Sequence, residues 1–141
     1  GAISLDGPTP HIQIKSHPWR RLKTSASERI VPLIGTALWA TRRAASEAEG
    51  ALLFPKYCSQ DACKANSASA ALNKWLKPRV PDGRGVHSFR HAFRDRLRAV
   101  QCPADITDRL GGWAVDGIGE TYGNGYPLDV LHEWMARIEL K

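Results

Sequence analysis

The sequence predicts an α+β fold that is mainly helical, with a small antiparallel sheet of two or three strands at its N-terminal edge. Residues 11–15 alternate apolar and other side chains, which is the period of a strand, and the apolar run in residues 29–35 predicts a second short strand. From residue 36 onward the apolar spacing becomes helical. Because 141 residues is the length of one domain, we predict a single domain over 1–141, with the sheet within about 2–34 and the helices within about 36–140.

The predicted strands differ in how clearly the sequence marks them. In HIQIK, Ile12 and Ile14 share one face, and in RIVPLIG the position of Pro32 predicts a sheet edge or a strand end, because proline has no N–H for a ladder bond. ISL near the start is a candidate third strand. Between the two clearer strands, SHPWRRLKTSASE is too long for a tight turn and predicts an extended hairpin tip that is rich in cations.

The helical part divides at proline and glycine residues into the segments 36–54, 66–77, 88–101, 102–112 and 127–141, with a weakly helical stretch over 113–125. In the first segment, Leu38, Trp39 and Ala45 are spaced for one buried stripe, and Gly50 offers a stop. The third segment is strongly amphipathic, and its apolar face follows a spacing of four, four and three residues through Phe89, Phe93, Leu97 and Val100. A pair of glycines ends the fourth segment.

The positive charge is concentrated in two blocks. The net charge is +6, with 20 Lys and Arg against 14 Asp and Glu. Residues 15–29 hold five of these cations against one carboxylate, and residues 74–98 hold eight against two. Such blocks indicate a surface that faces a polyanion, although two solvated faces of an ordinary domain would give the same pattern.

Other features of the composition narrow the class of protein. No apolar run approaches the roughly 18–20 residues that a membrane span requires, and no secretory signal is recognisable, so we expect no membrane partner. Three cysteines without a CxxC pair favour reduced thiols in a reducing cytosol over a disulfide scaffold. Cys58 and Cys63 have no nearby histidine pair that would complete a zinc site, so we expect no metal.

The residues most suggestive of chemistry lie around His87, in the sequence HSFRH. His87 stands near a helix start and Arg90 follows one turn later, so both can reach one anion. Trp113 follows Arg90 by 23 residues, and Tyr122 follows Trp113 by nine. Upstream, Lys23 stands at the hairpin tip in KTSASERIVPL. Each motif alone is weak, and a basic amphipathic helix with a structural histidine explains HSFRH equally well, but their order and spacing together are specific.

This ordered set resembles the catalytic domain of the tyrosine recombinases, the phage integrase family. HSFRHAFRDRL is similar to the family block HxLRHxFAT, and KTSASERIVPL is similar to its hairpin KTxxSxRxVPL. The resemblance extends from about residue 2 to about residue 135. It implies site-specific DNA recombination without metal, ATP or any other cofactor, in the cytoplasm at the bacterial nucleoid.

The resemblance also implies a role for each matched residue. Tyr122 matches the nucleophile that attacks the scissile phosphate and forms a 3′-phosphotyrosyl link. Arg90 matches an arginine that clamps the non-bridging oxygens, and His87 matches the histidine that contacts the phosphate and takes the tyrosine proton. Trp113 stands where most relatives have histidine and some have tryptophan, whose indole N–H can donate to the phosphate. Lys23 matches the lysine that protonates the leaving 5′ oxygen.

Several assignments have rivals in the sequence. Lys15, Arg20 and Arg21 lie close to Lys23, and Tyr126 and Tyr57 compete with Tyr122, although the spacing from Trp113 favours Tyr122. The family also has a first arginine, in a helix before the sheet, for which this chain shows no match. We therefore expect the chain alone to bind DNA weakly and to cleave it scarcely. Two other functions remain open: nicking and resealing as in type IB topoisomerases, and DNA binding without catalysis.

Double-stranded DNA at an attachment site is the partner that the resemblance implies. We predict that its backbone meets the hairpin tip and the second basic block, through a set of cationic side chains comprising Arg20, Arg21, Lys74, Lys77, Arg79, Arg84 and His91. The closing segment is unusually apolar, with Leu128, Leu131, Trp134, Met135 and Ile138. Residues 128–140 therefore either mediate self-association on DNA or dock on their own domain.

Overall fold

In the residues that the structure describes, the fold is a three-stranded antiparallel sheet followed by five α-helices, which confirms the predicted α+β class. The computed structural model describes residues 3–17, 21–22, 27–59, 61–113 and 125–139. The strands are β1 (Ile3–Ser4), β2 (His11–Ile14) and β3 (Arg29–Pro32). The helices are α1 (Gly35–Ser46), α2 (Ala65–Leu76), α3 (Val86–Ala99), α4 (Ala104–Gly111) and α5 (Leu128–Arg137), and a 3₁₀ turn at Lys77–Arg79 follows α2.

The sheet has the strand order β1-β2-β3, so β3 is an outer strand. Ile12 pairs with Val31, and Ile3 pairs with Ile12 from the other side. Pro32 is the last residue of β3, as its missing N–H predicts, and the chain is held beyond it by a hydrogen bond from Leu33 N to Pro10 O of 2.8 Å. This pairing fixes Arg29 at the start of β3.

The core lies between α3, α4 and α5, with β3 against it. Leu97 and Leu110 are almost completely buried, at 0% and 1% exposure. The other buried members of this cluster are Cys102, Ile106, Leu131, Met135 and Ile138. Because Leu131, Met135 and Ile138 all come from the closing segment, α5 docks on its own domain. Self-association through residues 128–140 stays a prediction.

Two aromatic residues predicted to be buried are exposed. Trp39 is 60% exposed, and α1 buries none of its residues. Phe89 is 61% exposed, whereas Leu97 on the same helix is buried and Phe93 and Val100 pack partly against the core. Both predictions fail for the same reason: an apolar stripe identifies a helix face, but burial also requires an element against that face. Phe89 lies in the first turn of α3, beyond the core cluster.

The start of α3 is fixed by α2. Val86 N donates to the side-chain oxygen of Asn73 at 2.9 Å, and Gly85 N donates to the Ser88 hydroxyl at 3.2 Å. These bonds satisfy N–H groups at the start of the helix that have no partner within it. α3 therefore begins at Val86, two residues before the predicted start, and its first turn lies beside α2.

The connection between α1 and α2 holds a disulfide that the sequence analysis did not expect. Cys58 and Cys63 are joined in a tight turn that is closed by hydrogen bonds from Ser59 N to Ala62 O and from Lys64 N to Tyr57 O. The expectation of reduced thiols is therefore wrong for this pair, because the turn brings two cysteines five residues apart face to face. Cys102 is a free thiol in the core. Among the described residues, no helix is long and apolar enough to cross a membrane.

Candidate functional site

One face of α3 carries four side chains of the candidate site. At about 100° per residue, His87, His91, Arg90 and Arg94 fall within an arc of about 100° on the helix. The two arginines border the apolar face that contains Phe93 and Leu97, and the two histidines lie on the opposite side of the arc. The arginines therefore point toward the end of α4, whereas the histidines point toward α2.

Arg90 lies against the end of α4. Its Nη1 donates to Gly111 O at 2.7 Å and its Nη2 to Gly112 O at 3.5 Å. Its guanidinium carbon lies 4.4 Å from the centre of the Trp113 ring. The structure therefore brings together Arg90 and Trp113, two of the predicted site residues, which are 23 positions apart in the sequence.

Trp113 is held from several sides. Phe93 stacks on it with ring centres 6.3 Å apart, and the Arg94 guanidinium carbon lies 4.8 Å from its centre. Arg94 in turn bonds the Asp108 carboxylate at 3.0 Å. Cation–π contacts of this kind contribute on the order of 1 kcal/mol each when partly desolvated. Trp113 thus serves as the platform on which the two arginines of α3 are oriented.

The turn after α4 places Trp113 under these arginines. α4 ends at Gly111, and Gly112 adopts the left-handed conformation with φ 61° and ψ 41°. This is the glycine helix end that the sequence predicts. Trp113 N then donates to Asp108 O at 3.0 Å, which turns the chain back toward α3.

A further arginine, which the sequence analysis did not assign to the site, reaches the same turn. Arg29 of β3 donates from Nε to Leu110 O at 3.1 Å and from Nη1 to Ser27 O at 2.8 Å. Burial lowers the pKa of Arg29, and the nearby charges of Arg90 and Arg109 lower it further. The sequence shows Arg29 as one of five cations in the first basic block and as the arginine of the motif KTxxSxRxVPL, but neither signal predicts a contact across 81 positions.

Replacing Gly112 by alanine is expected to destabilise the protein by more than the strain of the left-handed backbone alone. A Cβ on Gly112 would lie 2.6 Å from the guanidinium carbon of Arg29, whereas Gly83, with φ 77°, has nothing within 4 Å of its Cβ position. Gly83→Ala should therefore lower the free energy of unfolding by about 1–2 kcal/mol, and Gly112→Ala should lower it by more. Urea denaturation measures both, and in an Arg29→Ala background the two costs should become similar. Equal costs in the wild-type background would contradict this prediction.

The histidines of α3 line a separate open groove of about 750 Å³ between α2 and α3. Ser69 and Asn73 form its α2 side, and His87 and His91 are edge to face with ring centres 5.1 Å apart. Arg84, in the loop before α3, also lines it. The structure thus groups His87, His91 and Arg84 beside the start of α3, whereas Arg90 contacts the end of α4.

The remaining predicted DNA contacts differ in their surroundings. Lys77 and Arg84 line a smaller cavity of about 250 Å³ next to the groove, together with the carboxylate residue Asp82. Arg79 donates to Trp75 O at 2.6 Å and covers the exposed Trp75 ring at 4.3 Å. Lys74 is exposed on α2, and Arg21 is exposed between β2 and β3. The second basic block thus presents accessible cations beside the groove.

Three of the predicted site residues lie outside the described residues. These are Arg20, Lys23 and Tyr122. The described part of the active-site set is therefore Arg90 with Trp113, and His87 in the neighbouring groove.

Tyr126, a rival of Tyr122 for the nucleophile, has its hydroxyl occupied. It donates a hydrogen bond to the Asp105 carboxylate. This bond is the main cause that lowers the pKa of Asp105, with a smaller lowering from the Ile106 N–H, while burial opposes both. The bond ties the Tyr126 phenol to the first turn of α4.

The stabilising effect of this bond should depend on pH. Because the pKa of Asp105 is lowered on folding, its ionised carboxylate adds to the free energy of unfolding above the ordinary pKa of about 3.9. This contribution is lost as the pH falls through the pKa of Asp105 in the folded protein. Tyr126→Phe should therefore lower stability at pH 7 by about 1 kcal/mol or less, since Asp105 is only partly buried. Thermal unfolding measured from pH 7 to pH 2.5 should show the two proteins converging in acid, and a constant difference would contradict the assignment.

Among the described residues, no group of three or more His, Cys, Asp or Glu side chains could hold a metal ion. Comparisons with protein families, curated proteins and solved structures find no match for this chain.

Proposed function

We propose that this chain is the catalytic region of a tyrosine-type site-specific DNA recombinase of the phage or prophage integrase type. The observation that carries the proposal is the meeting of Arg90 and Trp113 at the end of α4, with the guanidinium 4.4 Å from the ring centre. The sequence resemblance assigns both residues to one phosphate, and only a fold that brings them together is compatible with that assignment. The basic surface beside them supports a DNA partner.

The proposed reaction is a transfer of one phosphodiester bond. The Tyr122 hydroxyl oxygen attacks the scissile phosphorus and forms the 3′-phosphotyrosyl bond, while the bond from phosphorus to the 5′ oxygen breaks. The tyrosine proton passes to His87, and the leaving 5′ oxygen takes a proton from Lys23. Attack by a 5′-hydroxyl of the partner strand then reverses the step and exchanges the strands. The covalent link conserves the bond energy, so the sequence of steps balances without ATP.

Arg90 and Trp113 act on the charge that develops during this transfer. The transition state carries extra negative charge on the non-bridging oxygens, and fixed N–H donors stabilise it. Arg90 has five N–H donors, of which the hydrogen bonds to Gly111 and Gly112 occupy two. The others can face the phosphate. Because those two bonds and the ring of Trp113 already fix the guanidinium, little reorganisation is needed when DNA binds.

The groove and the second basic block form the proposed DNA face. His87 and His91 line the groove, and Lys74, Arg79 and Arg84 present charge around it. Contacts of this kind are directed at phosphate and weaken steeply as salt increases. We place the reaction in the bacterial cytoplasm at the nucleoid.

The test is the capture of a covalent intermediate. The intact protein that carries this chain is incubated with end-labelled, nicked duplex fragments of the source genome. After cleavage, the short piece with the free 5′-hydroxyl is released, so the strand cannot be rejoined and the covalent adduct accumulates. A DNA–protein band that survives denaturing electrophoresis is expected for the wild type and for Tyr57→Phe, and its absence is expected for Tyr122→Phe. Peptide mapping of the adduct should identify Tyr122.

Other outcomes would refute parts of the proposal. An adduct on Tyr126 or Tyr57 would refute the assignment of the nucleophile. Specific DNA binding that is unchanged in Tyr122→Phe, with no adduct from any variant, would indicate a non-catalytic DNA-binding module. Relaxation of supercoiled DNA without joining of two duplexes would indicate an enzyme of the type IB topoisomerase kind.

A further inference from the structure

Two guanidinium groups from distant parts of the chain lie on neighbouring carbonyl groups of one turn. Arg29 of β3 donates to Leu110 O at 3.1 Å, and Arg90 of α3 donates to Gly111 O at 2.7 Å. Gly112 lies between them, since Arg90 reaches its carbonyl and Arg29 lies 2.6 Å from the position of its Cβ. We propose that Arg29 and Arg90 together form a two-guanidinium site for an oxyanion, namely a backbone phosphate of DNA, an inference that rests on the proposed function.

The charge around this turn favours an anion. Arg109 lies near Arg29, and Arg94 shares the ring of Trp113 with Arg90, while the carboxylate of Asp108 is paired with Arg94 at 3.0 Å. In the ranges that the structure describes, neither Arg29 nor Arg90 forms an ion pair with a carboxylate. Burial and the charges of Arg90 and Arg109 lower the pKa of Arg29. An oxyanion between the two guanidiniums would relieve this repulsion.

The end of α4 does not outweigh this positive charge. The carbonyls at a helix C-terminus carry about half a negative charge, whereas the two guanidiniums carry one full positive charge each. The carbonyls therefore fix the two side chains without neutralising them. Each guanidinium has five N–H donors, and the described hydrogen bonds occupy two on each. The others suit the bidentate contact that arginine makes with phosphate.

The glycine at the centre of the turn is consistent with a close approach by Arg29. A side chain on Gly112 would displace the Arg29 guanidinium, because the Cβ position overlaps it. The backbone at Gly112 is left-handed as well, so a side chain at this position would be strained and would also push the Arg29 guanidinium away from Leu110 O. The turn therefore leaves room for the guanidinium of Arg29 beside that of Arg90.

The experiment follows the arginine side-chain Nε–H signals by NMR in protein labelled with ¹⁵N-arginine. Arg29→Lys and Arg90→Lys assign the two signals, and through-bond correlation in the wild type assigns them if either variant fails to fold. Inorganic phosphate is titrated first and a short duplex oligonucleotide second, each against sodium chloride at equal ionic strength. Arg43, which is exposed and paired with Glu47 on α1, is the internal control.

The expected result is that Arg29 and Arg90 shift together and saturate at one concentration of phosphate, while Arg43 follows the salt control. Arg29→Lys should weaken phosphate binding about tenfold, because lysine keeps the charge but loses the planar pair of donors. The duplex should shift both signals as well. A shift of Arg90 without Arg29, or of neither, would overturn the two-guanidinium site. Phosphate binding without any response to the duplex would overturn its assignment to DNA.

These outcomes are independent of the adduct test. If Tyr122 forms no adduct but the signals of both arginines shift with phosphate and with duplex, the proposed reaction is refuted and the oxyanion site is supported. If the adduct forms but the Arg29 signal does not shift, the reaction is supported and the role of Arg29 is refuted.

Discussion

Arg90→Ala is expected to lower the rate of covalent adduct formation by about 100- to 1,000-fold. The guanidinium is held by Gly111 O and Gly112 O and lies over Trp113, so its remaining donors are fixed before the phosphate arrives. Removing such a preorganised donor loses stabilisation that exists only in the transition state. The rate should therefore fall much more than the affinity for DNA, which is shared among many cations of the second basic block.

The measurement is a single-turnover rate of adduct formation at saturating DNA, in the intact protein. Arg43→Ala removes an exposed arginine of α1 and should leave the rate unchanged. Arg90→Lys keeps the charge but not the paired donors, and its rate should lie between those of the wild type and Arg90→Ala. Thermal unfolding must show that the variants are folded. A folded Arg90→Ala protein with a rate within a few-fold of the wild type would exclude Arg90 from the phosphate site.

The parts of the fold that the sequence predicts are those that depend on neighbouring residues. The alternation in HIQIK gives β2, and the missing N–H of Pro32 gives the end of an outer strand. The glycine pair at the end of α4 gives a left-handed helix end at Gly112. In each case the signal and the structure lie within a few residues of each other, so local backbone preference decides the outcome.

The predictions that fail depend on tertiary contacts. Trp39 and Phe89 lie on apolar stripes, but no described element packs closely enough on those parts of α1 and α3 to bury them. The cysteines of the tight turn meet because of a turn geometry that the spacing of five residues does not specify. A periodic pattern predicts which face of a helix or strand is apolar. Which element packs on that face is determined only by the tertiary structure.

The candidate site divides in the same way. The order of His87, Arg90 and Trp113 along the chain indicated a shared site, and the structure brings Arg90 and Trp113 together. Arg29 stands at the arginine of the hairpin motif KTxxSxRxVPL, but that match carries no role for it, and its partner Leu110 is 81 positions away. Its place at the start of β3 and the pairing of β3 with β2 are what aim it at the end of α4.

Leu97→Ala is expected to destabilise the protein by about 2–5 kcal/mol, because it removes a completely buried side chain and leaves a cavity that the core fills only in part. For a domain whose total stability is about 5–15 kcal/mol, the melting temperature should fall by on the order of 10 °C. Leu72→Ala is the matched control, since Leu72 is 52% exposed on α2 and should change the melting temperature little.

This substitution should also affect the site, because Leu97 follows Arg90 by seven residues, which is close to two helical turns, and lies on the same side of α3. The contacts of Leu97 with the core formed by α4 and α5 thus set the distance from Arg90 to Gly111. Leu97→Ala should therefore slow adduct formation even at temperatures where it remains folded, whereas Leu72→Ala should not. If the two variants have the same melting temperature, the core does not centre on Leu97. If Leu97→Ala has a lower melting temperature but forms the adduct at the wild-type rate while folded, the position of Arg90 is set by the end of α4 alone.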